Sequence, residues 1–281
     1  MALVPMGQML RDARKIKKAV GGFEFWSYDS ARAVVAVAKK VGCPVILQVG
    51  HFERDYMDGY KNAYRIADMV SEHFRWPVAI HLDHAEDYDE VLAALDSGFT
   101  SVMIDGSMKP FAENVKLTKA VVELAAKYGA TVEAELGVLG GAEGNIDRTD
   151  EQSCQTDPAQ AARFVAETGV EALAVAIGTA HGFYKQTPVI NIERLKQIAQ
   201  AVEIPLVLHG GSGTPDAKVK EAIENGIAKV NICTEFIAAF GAGYTKSQQQ
   251  ADFKYNVDSL FVAARDNAQA LVENKLALFR R

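Results

Sequence analysis

Eight short β-rich runs alternate with longer stretches of helical period, and glycine repeatedly separates a helix from the next strand. These observations, in a chain of 281 residues, predict a single-domain (β/α)8 TIM barrel with a helical C-terminal part. In order, the runs are Ala19–Phe25, Pro44–Val49, Pro77–Asp83, Ser101–Asp105, Thr131–Leu136, Ala172–Ile177, Pro205–His209 and Lys229–Cys233. Several are almost continuously apolar, such as Val45-Ile46-Leu47 and Leu206-Val207-Leu208. Parallel strands covered on both faces have this pattern.

Amphipathic segments fill the intervals: Tyr60–His73, Asp89–Ser97, Phe111–Tyr128, Pro158–Thr168, Ile192–Val202 and Asp216–Asn225. Gly42, Gly98, Gly129, Gly169 and Gly226 follow such segments, where a helix end favours a left-handed residue. Pro158 suits a first helical turn after Thr156 or Asp157. Residues 236–281 read as mainly helical, and no linker or break in composition divides residues 1–281. An open doubly wound sheet would share this rhythm. Eight strands without a GxGxxG fingerprint favour the closed barrel.

Composition narrows the function. Acidic residues outnumber basic ones by 36 to 30, which excludes a non-specific nucleic-acid binder. Cys43, Cys154 and Cys233 are scattered and form no CxxC pair, so neither a disulfide framework nor a cysteine zinc knuckle is indicated. Gln8, Arg11 and Asp12 interrupt the first apolar residues, and no apolar run is long enough to span a bilayer. A soluble cytoplasmic protein without a membrane partner is expected.

Four of the six histidines fall at C-terminal ends of predicted strands. His81 and His84 close the third, His181 follows the sixth and His209 ends the seventh. In a barrel these ends converge on one mouth, so the four imidazoles predict a metal site with a position open to substrate. His51, just past the second strand, and His73, within a helix, lie outside the pattern. His81 and Asp83 share one strand face, which sets a carboxylate beside the imidazoles as an orienter or an acid/base. Glu133 and Glu135 share another, a costly place for carboxylates unless a cation or water satisfies them. The glycine-rich stretch that follows carries Glu143 as its only strong base and is expected to move over the site.

Phosphate chemistry is suggested by His209-Gly210-Gly211-Ser212-Gly213 and Asn231-Ile232-Cys233-Thr234, which follow or end the last two strands. Barrels commonly bind phosphate there through backbone N–H groups, with hydroxyls such as Ser212 and Thr234 as further donors. Metal, acid/base and phosphate cradle together suggest enolate chemistry, in which a chelated cation stabilises the enediolate left by carbon–carbon cleavage. Lys229, at the start of the eighth run, is the single lysine in a predicted strand core, so a Schiff base has little support.

These motifs resemble the class II ketose-bisphosphate aldolases, especially the fructose- and tagatose-bisphosphate branch. The likeness covers nearly the whole chain: AIHLDHAEDYDE, SVMIDGS, VEAELGVLGGAEG, ALAVAIGTAHGFYK, LVLHGGSG and KVNICTE occur in family order. The resemblance implies a cytoplasmic homodimer or homotetramer that uses catalytic zinc, and a monovalent cation, Na+ or K+, near the phosphate. It implies that His84, His181 and His209 are the zinc ligands, with Glu135 at a secondary metal position. Asp83 matches the acid/base at the substrate C4 hydroxyl, and Glu143 the mobile-loop carboxylate acting on dihydroxyacetone phosphate. Gly182, Gly210, Gly211, Ser212, Asn231 and Thr234 match the surroundings of that phosphate.

The other half of the pattern departs. Glu24 stands where the family has Asn, and Gly50, followed by His51-Phe52-Glu53-Arg54, stands where it has a substrate-contacting Ser. Asn256-Val257-Asp258 aligns with the family's Asp-Pro-Arg, which puts an acid at the position of the distal-phosphate Arg. The expectation is a metal-dependent aldolase that reversibly cleaves a ketose 1-phosphate or 1,6-bisphosphate to dihydroxyacetone phosphate and an aldehyde, and the altered residues raise as an alternative a ketose 1-phosphate with an unphosphorylated far end. Competing expectations are a barrel hydrolase whose metal activates water and a non-catalytic binding homologue.

Overall fold

All eight runs form strands: β1 (Val20–Glu24), β2 (Val45–Val49), β3 (Val78–Ala85), β4 (Ser101–Ile104), β5 (Thr131–Leu136), β6 (Ala172–Val175), β7 (Leu206–Leu208) and β8 (Ile227–Ile232). The computed structural model describes residues 3–137, 140–141, 155–182, 184, 187–250 and 252–280. Each strand pairs in parallel with its neighbours in sequence, and β8 closes on β1 with Lys229 opposite Val20. A closed barrel results, not an open sheet. β8 begins two residues earlier than its sequence suggested, so Lys229 lies inside the strand and is wholly buried.

The helices follow their local signals. α2 (Tyr28–Val41) is opened by a capping box between Ser27 and Ser30 and closed by Gly42 at φ +69°. Asp87 caps α5 (Tyr88–Ser97), and Asp157 caps α7 (Pro158–Thr168) with Pro158 in its first turn. Between α2 and α5 lie the short α3 (His51–Tyr56) and α4 (Tyr60–Phe74), and α6 (Phe111–Ala125) covers β4 and β5. α8 (Ile192–Ala201) and α9 (Asp216–Glu224) complete the outer ring.

Strand alternation divides the core into two layers. Leu47, Ile80, Val102, Val132, Leu173 and Leu208 face outward and pack with the helices. Val20, Ile46, Ala79, Met103, Ala174 and Val207 fill the lower interior. An N-terminal helix that the strand rhythm did not announce, α1 (Met6–Lys15), closes this end by adding Met6, Leu10 and Ala13. Burial of Met6 and of Leu10 contributes roughly 1.5–3 kcal/mol each. Higher in the barrel the same inward positions become polar, and the site begins there.

The C-terminal part contains α10 (Thr234–Gln248), a π-helical turn at Asp258–Val262 and α11 (Ala263–Phe279). α11 packs against α10 and α2, and the Phe279 carbonyl accepts from the Ala19 N–H at 3.0 Å. No helix among the described residues is long and apolar enough to cross a membrane.

Candidate active site

Above the apolar layer, inward positions carry Gln48, His81, Asp83, Glu133, Glu135, Lys229 and Asn231, all buried. Gly22 makes room for this layer: a Cβ there would stand 1.6 Å from Gln48 Oε1. β3 contains a further local device. Its pairing with β4 shifts between Leu82 and Ala85, and His84 adopts φ +51°. That left-handed conformation is uncommon away from glycine. It interrupts strand alternation, so the adjacent side chains of Asp83 and His84 both line the same cavity.

His84, His181 and His209 come together as the sequence led us to expect, with one nitrogen from each within 4.8 Å of the others. His209 Nδ1 is 2.8 Å from His84 Nε2, and His84 Nδ1 is 3.1 Å from Asp105. On its other side, His209 Nε2 meets Glu133 Oε1 at 2.8 Å. The second Glu133 oxygen accepts from Lys229 Nζ, also at 2.8 Å. A fully buried ion pair thus fixes the ring behind the cavity, in the way outer carboxylates orient metal-binding imidazoles.

Three imidazole nitrogens in this arrangement fit a zinc-type divalent ion. Glu135 supports that fit: its buried Oε2 has no hydrogen-bond partner among the described residues. Glu135 also groups with His84 and Asp105 as a second set of donors. A third set, His81, Asp83 and Glu133, is less suited to a metal because the Lys229 ammonium already binds Glu133. His81 therefore supports the site from below and does not join the three converging imidazoles.

Electrostatics sort these groups. Burial would raise the Asp83 carboxyl, but His84, Lys229 and His209 outweigh it and hold the pKa well below the usual range. Glu133 behaves alike, drawn down to about 2 mainly by Lys229 against its burial. Burial and the nearby Asp105 push Glu135 well above its ordinary value. Burial and the neighbouring His84 lower His181 to about 3, which keeps it neutral as a metal ligand must be. His84 itself is pushed up to about 10, because Asp83 and Asp105 overcome its burial.

A cavity of about 580 Å³ opens over these groups, and Gly182, Gly210, Ser212, Asn231 and Thr234 also line it. Gly210 has φ +68°, and a Cβ there would meet the Ala180 carbonyl at 2.4 Å. Gly211 lies just behind, tight against the Asn231 carbonyl. Ser212 and Thr234 stand at the N-terminus of α10, where helix N–H groups favour an anion. Asn231 Nδ2 donates to both Asp83 oxygens at 3.4 Å, linking β8 to the carboxylate.

The predicted specificity residues divide. Glu24, Gly50 and His51 line the cavity. The Arg54 guanidinium instead turns to Glu90 and Asp55, 2.7 and 2.8 Å away. Asp258 is exposed in the π-helical turn and is absent from the cavity lining, because the chain after α10 carries it outside. Glu143 lies outside the described residues. Its stretch begins at Gly140–Gly141, whose backbone pairs in parallel with Ala180–His181.

Sequence reasoning missed Asp105, although it ends a predicted strand as His81 and His209 do. It also missed Tyr184, whose hydroxyl accepts from Ala180 N–H and donates to the Gly210 carbonyl, tying two loops together. A larger cavity of about 860 Å³ beside α1, lined by Gln8, Arg11, Asp12 and Glu171 among others, gathers no comparable donor set.

The sequence profile of the class-II fructose-bisphosphate aldolase family matches residues 4–281. Among solved structures, the YdjI aldolase from Escherichia coli K12 is 33% identical and superposes with a TM-score of 0.86, covering 99% of this chain and 97% of its own. Fructose-bisphosphate aldolase from Campylobacter jejuni is 22% identical with a TM-score of 0.83, over 99% of this chain and 95% of its own, a likeness of fold.

Proposed function

The chain belongs to the class-II fructose-bisphosphate aldolase family and is an aldehyde-lyase, and from that premise we propose that it reversibly splits a ketose 1-phosphate into dihydroxyacetone phosphate and an aldehyde. The observation that carries this reading is the clustering of His209 with His84 and His181, the latter two lining one cavity together with Asp83, Ser212 and Thr234. A zinc-type ion on the three imidazoles supplies Lewis-acid stabilisation of the charge that cleavage leaves on the donor's oxygens.

The chain's own groups account for the rest. Asp83, anionic and held by Asn231, takes the proton of the C4 hydroxyl as the C3–C4 bond breaks, and returns it in condensation. The helix end with Ser212 and Thr234 anchors the phosphate, and a monovalent cation beside it belongs to the same proposal. Glu143 is proposed, on resemblance alone, to exchange the donor's C–H proton. Assembly as a homodimer or homotetramer is proposed on the same ground.

The direct test is to incubate the zinc-loaded protein with dihydroxyacetone phosphate and an aldehyde panel, then identify the adducts. Asp83→Asn should slow carbon–carbon cleavage by at least ~100-fold, while exchange of the donor C–H proton with solvent persists. Cleavage at the wild-type rate would move the acid/base elsewhere.

One observation favours a substrate with no distal phosphate. Glu24, Glu53, Asp83, Glu86, Asp105 and Glu135 line the cavity, and no Lys or Arg does among the described residues. A dianion facing these carboxylates without a cationic clamp loses roughly 100-fold in affinity. We therefore expect kcat/KM for fructose 1-phosphate to exceed that for fructose and tagatose 1,6-bisphosphates by about tenfold or more. A bisphosphate winning by that margin would make this an ordinary bisphosphate aldolase.

A further inference from the structure

Behind the cavity wall at α3 lies a set of ionic contacts that the chemistry above does not use. His51 Nε2 is 2.9 Å from Glu90 Oε1 and 3.0 Å from Oε2. Glu90 Oε1 also accepts from Arg54 Nη1 at 2.7 Å and from the Tyr60 hydroxyl. Arg54 is held in turn by Asp55, and donates to the Tyr60 oxygen at 3.2 Å. The Glu90 side chain is only 10% exposed, whereas His51 is 39% exposed and is the member of this set that lines the cavity.

A solvated surface pair would leave both partners exposed and would be worth little. Here the carboxylate is nearly buried, and three donors offset its desolvation. The result is a fixed anion against one edge of a cavity-lining ring. An acceptor held at Nε2 sets the N–H on that nitrogen, so in the neutral ring Nδ1 becomes an acceptor for a ligand. Glu24, on the same wall, accepts from Gln48 Nε2 and from the Gly50 N–H at 3.2 Å each, which fixes a second acceptor group. A wall of acceptors matches a ligand that brings donors, and a neutral polyhydroxyl group does so without charge repulsion.

We infer that His51, oriented by Glu90 with Arg54 and Tyr60 behind it, reads a hydroxyl on the aldehyde half of the substrate. This inference rests on the aldolase reading above and names the acceptor class within it: hydroxylated, uncharged aldehydes. His51 is the contacting residue. Glu90 is a positioning residue that acts through it.

The test uses zinc-loaded wild type, His51→Ala, His51→Asn and Glu90→Gln. Two rates are measured for each: deuterium exchange into dihydroxyacetone phosphate, and addition of that donor to glyceraldehyde or to propionaldehyde, which carries no hydroxyl. His51→Ala should lower kcat/KM for glyceraldehyde by about 10- to 100-fold, chiefly through KM, the usual loss for one or two hydrogen bonds. Its propionaldehyde value should stay within about twofold, since the lost contact serves a group that propionaldehyde lacks. His51→Asn, with a polar atom near the Nδ1 position, should recover part of the loss. Glu90→Gln should reproduce a smaller share of it, because the ring loses its charged partner.

Equal losses for both aldehydes, or an Ala variant with wild-type selectivity, would overturn the inference. So would loss of exchange in His51→Ala, which would assign the residue to the donor half or to the fold. Absence of exchange and of adducts in the wild type would instead remove the aldolase reading itself.

Discussion

Lys229→Met should lower the melting temperature by roughly 6–20 °C, the consequence of stranding a buried carboxylate at the barrel's centre. In the wild type, Lys229 and Glu133 are both fully buried and 2.8 Å apart. Removing one partner of such a pair typically costs about 3–5 kcal/mol, because the remaining charge is desolvated and uncompensated. The effect should depend on pH. The folded pKa of Glu133, about 2, lies below its ordinary value of 4.5. Its stabilisation is therefore fully present above the unfolded value and is lost as pH falls through the folded one. In the variant the carboxylate loses the chief cause of that depression, so protonation relieves the stranded charge. The gap between wild type and variant should narrow from pH 8 to pH 5 in scanning calorimetry. A constant gap, or none, would show that the pair is not the ionic support its geometry implies.

His209→Ala should abolish zinc binding at micromolar free metal and slow aldol cleavage by at least ~1000-fold, since Lewis-acid stabilisation is worth several kcal/mol. His209 is the most enclosed of the three converging imidazoles, wholly buried and bonded toward both His84 and Glu133. Its loss removes one of the three imidazoles and leaves the ring of His84 held by Asp105. His51→Ala is the matched control, because His51 stands apart from the cluster and should leave zinc content at wild-type level. Metal content by atomic spectroscopy separates a lost ion from a lost fold. Full occupancy in His209→Ala would remove it from the ligand set.

Much of this was legible in the sequence for one reason: barrel strands report their burial residue by residue. Short β-rich apolar runs located all eight strands, and polar positions that interrupt them, His81, Asp83, Glu133 and Glu135, are buried in the barrel interior. The hydrolase and binding-only readings, open from residue types alone, give way to the family match. Contacts made across the barrel were less legible. Nothing local pairs Lys229 of β8 with Glu133 of β5, or Glu90 of α5 with His51 of α3, since each bond joins residues of separate elements that only the folded barrel brings together. α1 was missed because its apolar residues Met6, Leu10 and Ala13 suit a helix but no βα unit. Asp258, aligned by sequence with a substrate-binding Arg, is absent from the cavity lining, and order along the chain could not show this because it does not report where a segment runs.

Closure also gives the polar interior a history. On a ribosome, Glu133 emerges 96 residues ahead of the lysine that neutralises it. At about 5–20 residues per second that is a wait of roughly 5–20 s. Through this interval β1 has no β8 to pair with, and the nascent sheet keeps an open edge. Carboxylates destined for the dry centre stay wet for as long, and their charge opposes early collapse onto the wrong partner. The buried ion pair is thus a late latch, and a nascent chain arrested before residue 229 should remain accessible to proteases along its first strand.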